Sequence, residues 1–86
     1  MYQLVFMSQA QKDAKKLASS GLKPKVLQLL EVIQHDPLQY PPDYEVLKGD
    51  LQGLISRRIN KQHRLVYEVF EKEKIIKIYR MWSHYE

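Results

Sequence analysis

Three stretches hold residue types that could do chemistry: the loop "YEVLKGDLQG" with Glu45 and Lys48, the segment "SRRINKQHRLVY", and the terminal "SHYE" with His84 and Tyr85. The second is the richest, with three arginines, a lysine and a histidine in twelve residues patterned like a hairpin. Strands favour branched and aromatic residues, so these charges ask for another reason. They could form a solvated edge, a grip on nucleic acid, or part of an active site. Alternation along the strands narrows the choice. If Ile55 and Ile59 face the covering layer together with Leu65, Tyr67 and Val69, opposed residues share parity and the turn has odd length. A turn centred on Lys61 then sets Arg58 directly opposite Arg64, both on the open face of the sheet. Like charges opposed across two strands are destabilising by up to about 1 kcal/mol. A pair kept at that cost suits the holding of an anion.

These residues need a scaffold, and the rest of the chain supplies one. "YQLVFM" reads as a short apolar strand. Ser8 suits the N-cap of a helix in which Ala10, Ala14 and Leu17 recur among lysines, and Ser19-Ser20-Gly21 ends it. A second helix begins near Lys23-Pro24, where proline fits the first turn. Leu22, Val26, Leu29, Leu30 and Ile33 make its apolar stripe, and Pro37 stops it. "HDPLQYPPDYEVLKGDLQG" is the long irregular segment, of a kind that is often functional. Then "LISRRI", "HRLVYEVF" and "KIIKIYRMW" read as three strands with short connections, "NKQ" and "EKE". Strand, helix, helix and three strands make an α+β domain, its helices covering one face of a mainly antiparallel sheet. No internal repeat or low-complexity tract interrupts it.

Composition sets the outer limits. Eighty-six residues form a single domain over 1–86, with no room for two independent cores. The chain has no cysteine, which excludes disulfides and thiolate metal sites, and its three scattered histidines give no zinc spacing, so neither a metal nor another cofactor is expected. The N-terminus lacks the basic and long apolar regions of a signal peptide, and no apolar run nears the roughly 20 residues of a membrane span. A soluble cytoplasmic protein with no membrane partner is the expectation. Net charge is +4, and five of the basic residues fall between Lys48 and Tyr67 against one acid. That local excess suits a polyanion, a membrane surface or an acidic partner segment, and does not separate them.

Each feature also has a plain structural reading. A lone glutamate in a loop is ordinarily solvated, a charged hairpin is ordinarily a wet sheet face, and a histidine near a chain end ordinarily frays. His35 sits at a helix end, where it meets the dipole favourably and reads as structural. His63 reads as an electrostatic rather than catalytic strand residue, and Tyr79 and Trp82 as core or interface.

Taken together, the order E-x-L-K-x-x-L-x-G-x-x-S-R-R-I-x-x-x-H-R-L-V-Y from Glu45 to Tyr67, followed by His84-Tyr85, resembles the YoeB/Txe branch of the RelE-like bacterial toxins. The motif covers about a quarter of the chain with fixed spacing, while the helical half matches in architecture alone. Glu86 extends one residue past the tyrosine that often ends these chains. The resemblance implies a RelE-like, microbial-RNase-like fold. It also implies the toxin of a type II toxin–antitoxin system, an endoribonuclease cutting messenger RNA in the ribosomal A site. Glu45, Arg64, His84 and Tyr85 would be catalytic, and Lys48, Arg57, Arg58 and His63 would bind RNA.

RNA cleavage by 2′-OH attack needs a base, a cation on the non-bridging oxygens and an acid for the leaving oxygen. Glu45 can be the base, especially if it is partly buried; Arg64 suits the cation and His84 the acid; and Tyr85 can stack on a base or orient the phosphate. Tyr40 and Tyr44 could pack the loop, brace Glu45 or contact RNA. The implied partners are messenger RNA, the ribosome and an antitoxin whose acidic disordered tail covers Arg58 and Arg64 and displaces His84-Tyr85. A homodimer or a toxin–antitoxin heteromer is the implied assembly. The alternative is a non-catalytic relative on the same scaffold, acting on DNA gyrase or on an acidic protein.

Overall fold

In a computed structural model, which describes residues 1–51 and 53–82, the elements run in the order the sequence suggests, with one addition. They are β1 (Gln3–Phe6), α1 (Ser8–Ala18), α2 (Lys23–His35), β2 (Glu45–Val46), β3 (Ile55–Arg58), β4 (Arg64–Phe70) and β5 (Ile75–Arg80). A single 3₁₀ turn, Gly49–Leu51, lies between β2 and β3. The addition is β2, a two-residue edge strand within the segment expected to be irregular.

The five strands form one sheet in the order β1-β5-β4-β3-β2. β1 runs parallel to β5, and every other pair is antiparallel. Parallel pairing requires a crossover, which the two helices provide. Pro24 opens α2 as expected, whereas α1 starts one residue early. Met7 is its N-cap, with no side-chain cap bond, and Ser8 is already helical. Gly21, at φ +82°, makes the turn between the helices in a conformation that side chains with a Cβ rarely adopt.

The core lies between the helices and the inner face of the sheet. Val26, Leu29, Leu30 and Ile33 from α2 and Ala10 and Leu17 from α1 meet Ile55, Ile59, Leu65, Tyr67, Ile76 and Ile78. Leu65, Ile76 and Ile78 are fully buried, each worth roughly 1.5–3 kcal/mol over an exposed position. Asp13 is also fully buried, although it sits on a lysine-rich helix. Its carboxylate accepts from Gln9 Nε2 and the Met81 N–H, both at 2.9 Å, and lies 3.5 Å from Arg80 Nε. This ties α1 to the end of β5. No helix among the described residues is long and apolar enough to cross a membrane.

Candidate functional site

The β3–β4 hairpin sets the geometry of the site. Its ladder pairs Ile55 with Tyr67, Ser56 with Val66, Arg57 with Leu65 and Arg58 with Arg64, the register that strand parity predicts. Asn60 makes the turn. Its Oδ1 accepts from the N–H groups of Gln62 and His63, and the Ile59 N–H donates to the His63 carbonyl at 2.9 Å. Beyond it, β2 adds Glu45 opposite Ser56. Opposed residues share a face, as do residues two apart on a strand. Glu45, Ser56, Arg58 and Arg64 therefore project together from the side away from the helices.

With Asp43 and Tyr44 they line a cleft of about 340 Å³. Two carboxylates, Asp43 and Glu45, and two guanidinium groups thus share a polar recess on the open face of the sheet. Arg64 is half-buried and its Nη1 reaches Ser56 Oγ at 3.4 Å, a long contact that leaves most of its donors open to a ligand. Glu45 and Arg58 are exposed. Glu45 is not partly buried, the condition that would favour it as a base, because β2 lies at the edge of the sheet. Lys48, also exposed, follows β2 immediately before the 3₁₀ turn and is not among the residues that line the cleft.

Two expected phosphate contacts lie elsewhere. Arg57 is 1% exposed and points into the helix-facing side. Its Nε donates to Tyr67 Oη at 2.9 Å, Nη1 to the Pro42 carbonyl at 2.6 Å, and Nη2 to the carbonyls of Pro37 and Gln39 at 3.1 and 2.9 Å. Its Cζ lies 4.8 Å from the centre of the Tyr44 ring. A guanidinium so enclosed reaches no phosphate. His63, 9% exposed, stacks on Trp82 with ring centres 3.9 Å apart, so it is packed in beside the hairpin turn rather than presented on the open face. The signal that would have found Arg57 was already in the sequence: it shares the parity of Ile55 and Ile59.

Tyr67, fully buried beneath this cluster, donates to the Pro37 carbonyl at 2.7 Å. Burial pushes its phenol pKa up, and the hydrogen bond and positive charge of Arg57 oppose this in smaller measure. His84 and Tyr85 lie outside the described residues. Of the aromatic residues the sequence left open, Tyr44 braces the loop beneath Arg57 and Tyr40 is exposed; Tyr79, read as core or interface, is half-buried and donates from its hydroxyl to Glu68 at 2.8 Å. Among the described residues, no cluster of three His, Cys, Asp or Glu side chains could hold a metal ion.

Two helices covering one face of a five-stranded mixed sheet, with a carboxylate–arginine cleft on the other, define a small α+β protein of the RelE-like toxin architecture. An Agrobacterium tumefaciens protein described as a YoeB/ParE toxin superimposes with a TM-score of 0.88 at 27% identity, over 96% of this chain and 99% of that one. The toxin in the YoeB–YefM complex from Staphylococcus aureus superimposes at 0.83 with 35% identity, over 99% of both chains. Toxin YoeB of Streptomyces coelicolor is 36% identical over 75 residues, 85% of this chain and 89% of its own. The match to Toxin YoeB of Synechocystis, 42% identical, spans 48 residues, 56% of either chain. The family model for the YoeB-like toxin of bacterial type II toxin–antitoxin systems matches residues 6–85. The chain belongs to that family.

Proposed function

We propose that this toxin is an endoribonuclease that cuts messenger RNA in the ribosomal A site without a metal ion. The observation that carries this reading is the shared face of Glu45, Ser56, Arg58 and Arg64, which sets a carboxylate beside a pair of opposed arginines. In this reaction Glu45 takes the proton of the 2′-OH, and the freed oxygen attacks the adjacent phosphorus. Arg64 places its planar donors on the non-bridging oxygens, where charge builds up in the transition state. The 5′-oxygen leaves with a proton from His84, giving a 2′,3′-cyclic phosphate and a 5′-OH. Tyr85 orients the scissile phosphate or stacks on a base. Arg58 and Lys48 hold the flanking backbone. Arg57 and His63 have no part in holding RNA on this reading.

The YoeB toxin of S. aureus forms a complex with YefM. By analogy, a cognate antitoxin with an acidic disordered segment neutralises this chain by covering Arg58 and Arg64. The same chemistry explains why RNA binding should weaken steeply with salt, since every phosphate contact releases counterions.

The test is to map cleavage ends on messenger RNA in EDTA, with and without ribosomes, for wild type, Glu45→Ala, Arg64→Ala and His84→Ala. Cyclic-phosphate ends from wild type, strongly reduced in each folded variant, are the expected result. Equal cutting by all four proteins would end the catalytic assignment. Growth arrest accompanied by DNA damage and intact messenger RNA would point instead to a gyrase-directed relative.

A further inference from the structure

Residues 36–44 join α2 to β2 and have little regular structure to hold them. Three of the nine are prolines, which lack an N–H. The segment is therefore short of donors for its own carbonyls. A buried carbonyl must find a donor or bear the cost. Those of Pro37, Gln39 and Pro42 all find the same one, the guanidinium of Arg57.

This is an uncommon way to spend a buried charge. Arg57 has no carboxylate within ion-pair distance among the described residues. Its charge is met by three carbonyl dipoles, a phenol oxygen and the face of Tyr44. Burying a cation is costly unless every donor is satisfied, and here four of the five donors are engaged. Simple packing would favour an apolar side chain of similar volume. A flat fork that binds several carbonyls at once fixes a path for the chain, which an apolar group would not do.

That path ends at Glu45. Tyr44, on which Arg57 stacks, immediately precedes it, and both line the cleft. Downstream, among the described residues, Glu45 is held by a two-residue strand at the sheet edge, extended by the bond from the Leu47 N–H to the Leu54 carbonyl. Arg57 also neighbours Ser56, the residue opposite Glu45. One strand thus sets both the partner of Glu45, on its outer face, and the anchor of the preceding loop, on its inner face.

We propose that Arg57 is a positioning residue: from beneath the sheet it holds the 36–44 segment so that Glu45 stands at the reacting 2′-OH. The inference rests on the endoribonuclease reading for its catalytic consequence and on the loop geometry for its cause. Loss of Arg57 then affects the rate of the chemical step and leaves RNA binding by Arg58 and Lys48 in place.

The experiment is a double-mutant cycle on full-length protein, with kcat and KM for RNA cleavage measured for wild type, Arg57→Ala, Glu45→Ala and the double variant. Arg57→Ala should lower kcat about a hundredfold, the scale of a misplacement near 1 Å, with little change in KM. In the Glu45→Ala background the same substitution should cost nothing further, because the group it positions is gone. Losses that multiply, or a rise in KM alone, would overturn the proposal. Should Arg57→Ala fail to fold, Tyr67→Phe and Arg57→Lys each remove part of the clamp. Both should lower kcat by smaller factors, and wild-type rates in both would refute the clamp. Amide hydrogen exchange at Tyr44 and Glu45 separates this idea from the enzymatic one. If Glu45→Ala cuts RNA as fast as wild type, the catalytic reading fails. Unchanged exchange at those amides in the Arg57 variants defeats the clamp even if cleavage is lost.

Discussion

Arg58 and Arg64 face each other across two strands, yet their removal should have different effects. Arg64 reaches into the cleft beside Ser56. Arg64→Ala should lower kcat roughly 10²–10³-fold, as loss of one preorganised charge-stabilising donor does. Arg58 is exposed at the strand end, so Arg58→Ala should chiefly raise KM. It should also reduce the salt slope of RNA binding by about one phosphate contact, measured by titration across a range of salt concentrations. The pair also has a cost in the free protein. Arg58→Thr relieves the opposed charges and should stabilise the fold by up to about 1 kcal/mol in low-salt urea denaturation. That gain should shrink as salt screens the exposed charge.

Among the elements, α1 and β5 meet at Asp13, and β4 carries Tyr67 into the loop cluster. Asp13→Ala removes the acceptor of the Met81 N–H and of Gln9, and should cost about 2–4 kcal/mol by urea unfolding. Tyr67 gives a pH dependence of definite sign. Its folded-state pKa is raised by burial, so the unfolded chain ionises first, near its ordinary value of about 10. Stability is fully present below that value and falls as pH rises toward the folded pKa. Melting temperature should therefore decline above that point in wild type, and Tyr67→Phe should flatten the decline. Alternation of Ile55, Ile59, Leu65 and Tyr67 made the hairpin register legible in the sequence, and with it the opposition of Arg58 and Arg64. The same alternation places Arg57 inside, but its charge argued for solvent. Burial won because the proline-rich loop offered it carbonyls. Asp13 was hidden for a related reason: lysines on both sides made its position look solvated. β2 left no pattern at all, since two residues are too few to show alternation. The offset between Val66 and Tyr67 on β4, which leaves Tyr79 as an extra residue on β5, is likewise set by tertiary packing.

For the whole molecule, the sheet order separates a protected centre from a lightly held site. β5 and β4 lie inside the sheet, whereas β2 closes one edge with two residues. Amide exchange should be slowest on β4 and β5 and fastest at β2, so the cleft sits where local opening costs least. The place of β5 also governs assembly. It lies between β1 and β4, although it is the last strand among the described residues. Without it, β1 has no neighbour in the sheet, and the β4-β3-β2 ribbon loses Ile76 and Ile78 from its core. During synthesis, then, Asp43 to Arg64 emerge before the strand that supports them. A nascent chain halted before Ile75 would carry the cleft residues without the cleft, and a ribosome making this toxin would meet an assembled one only after β5 had cleared its exit tunnel.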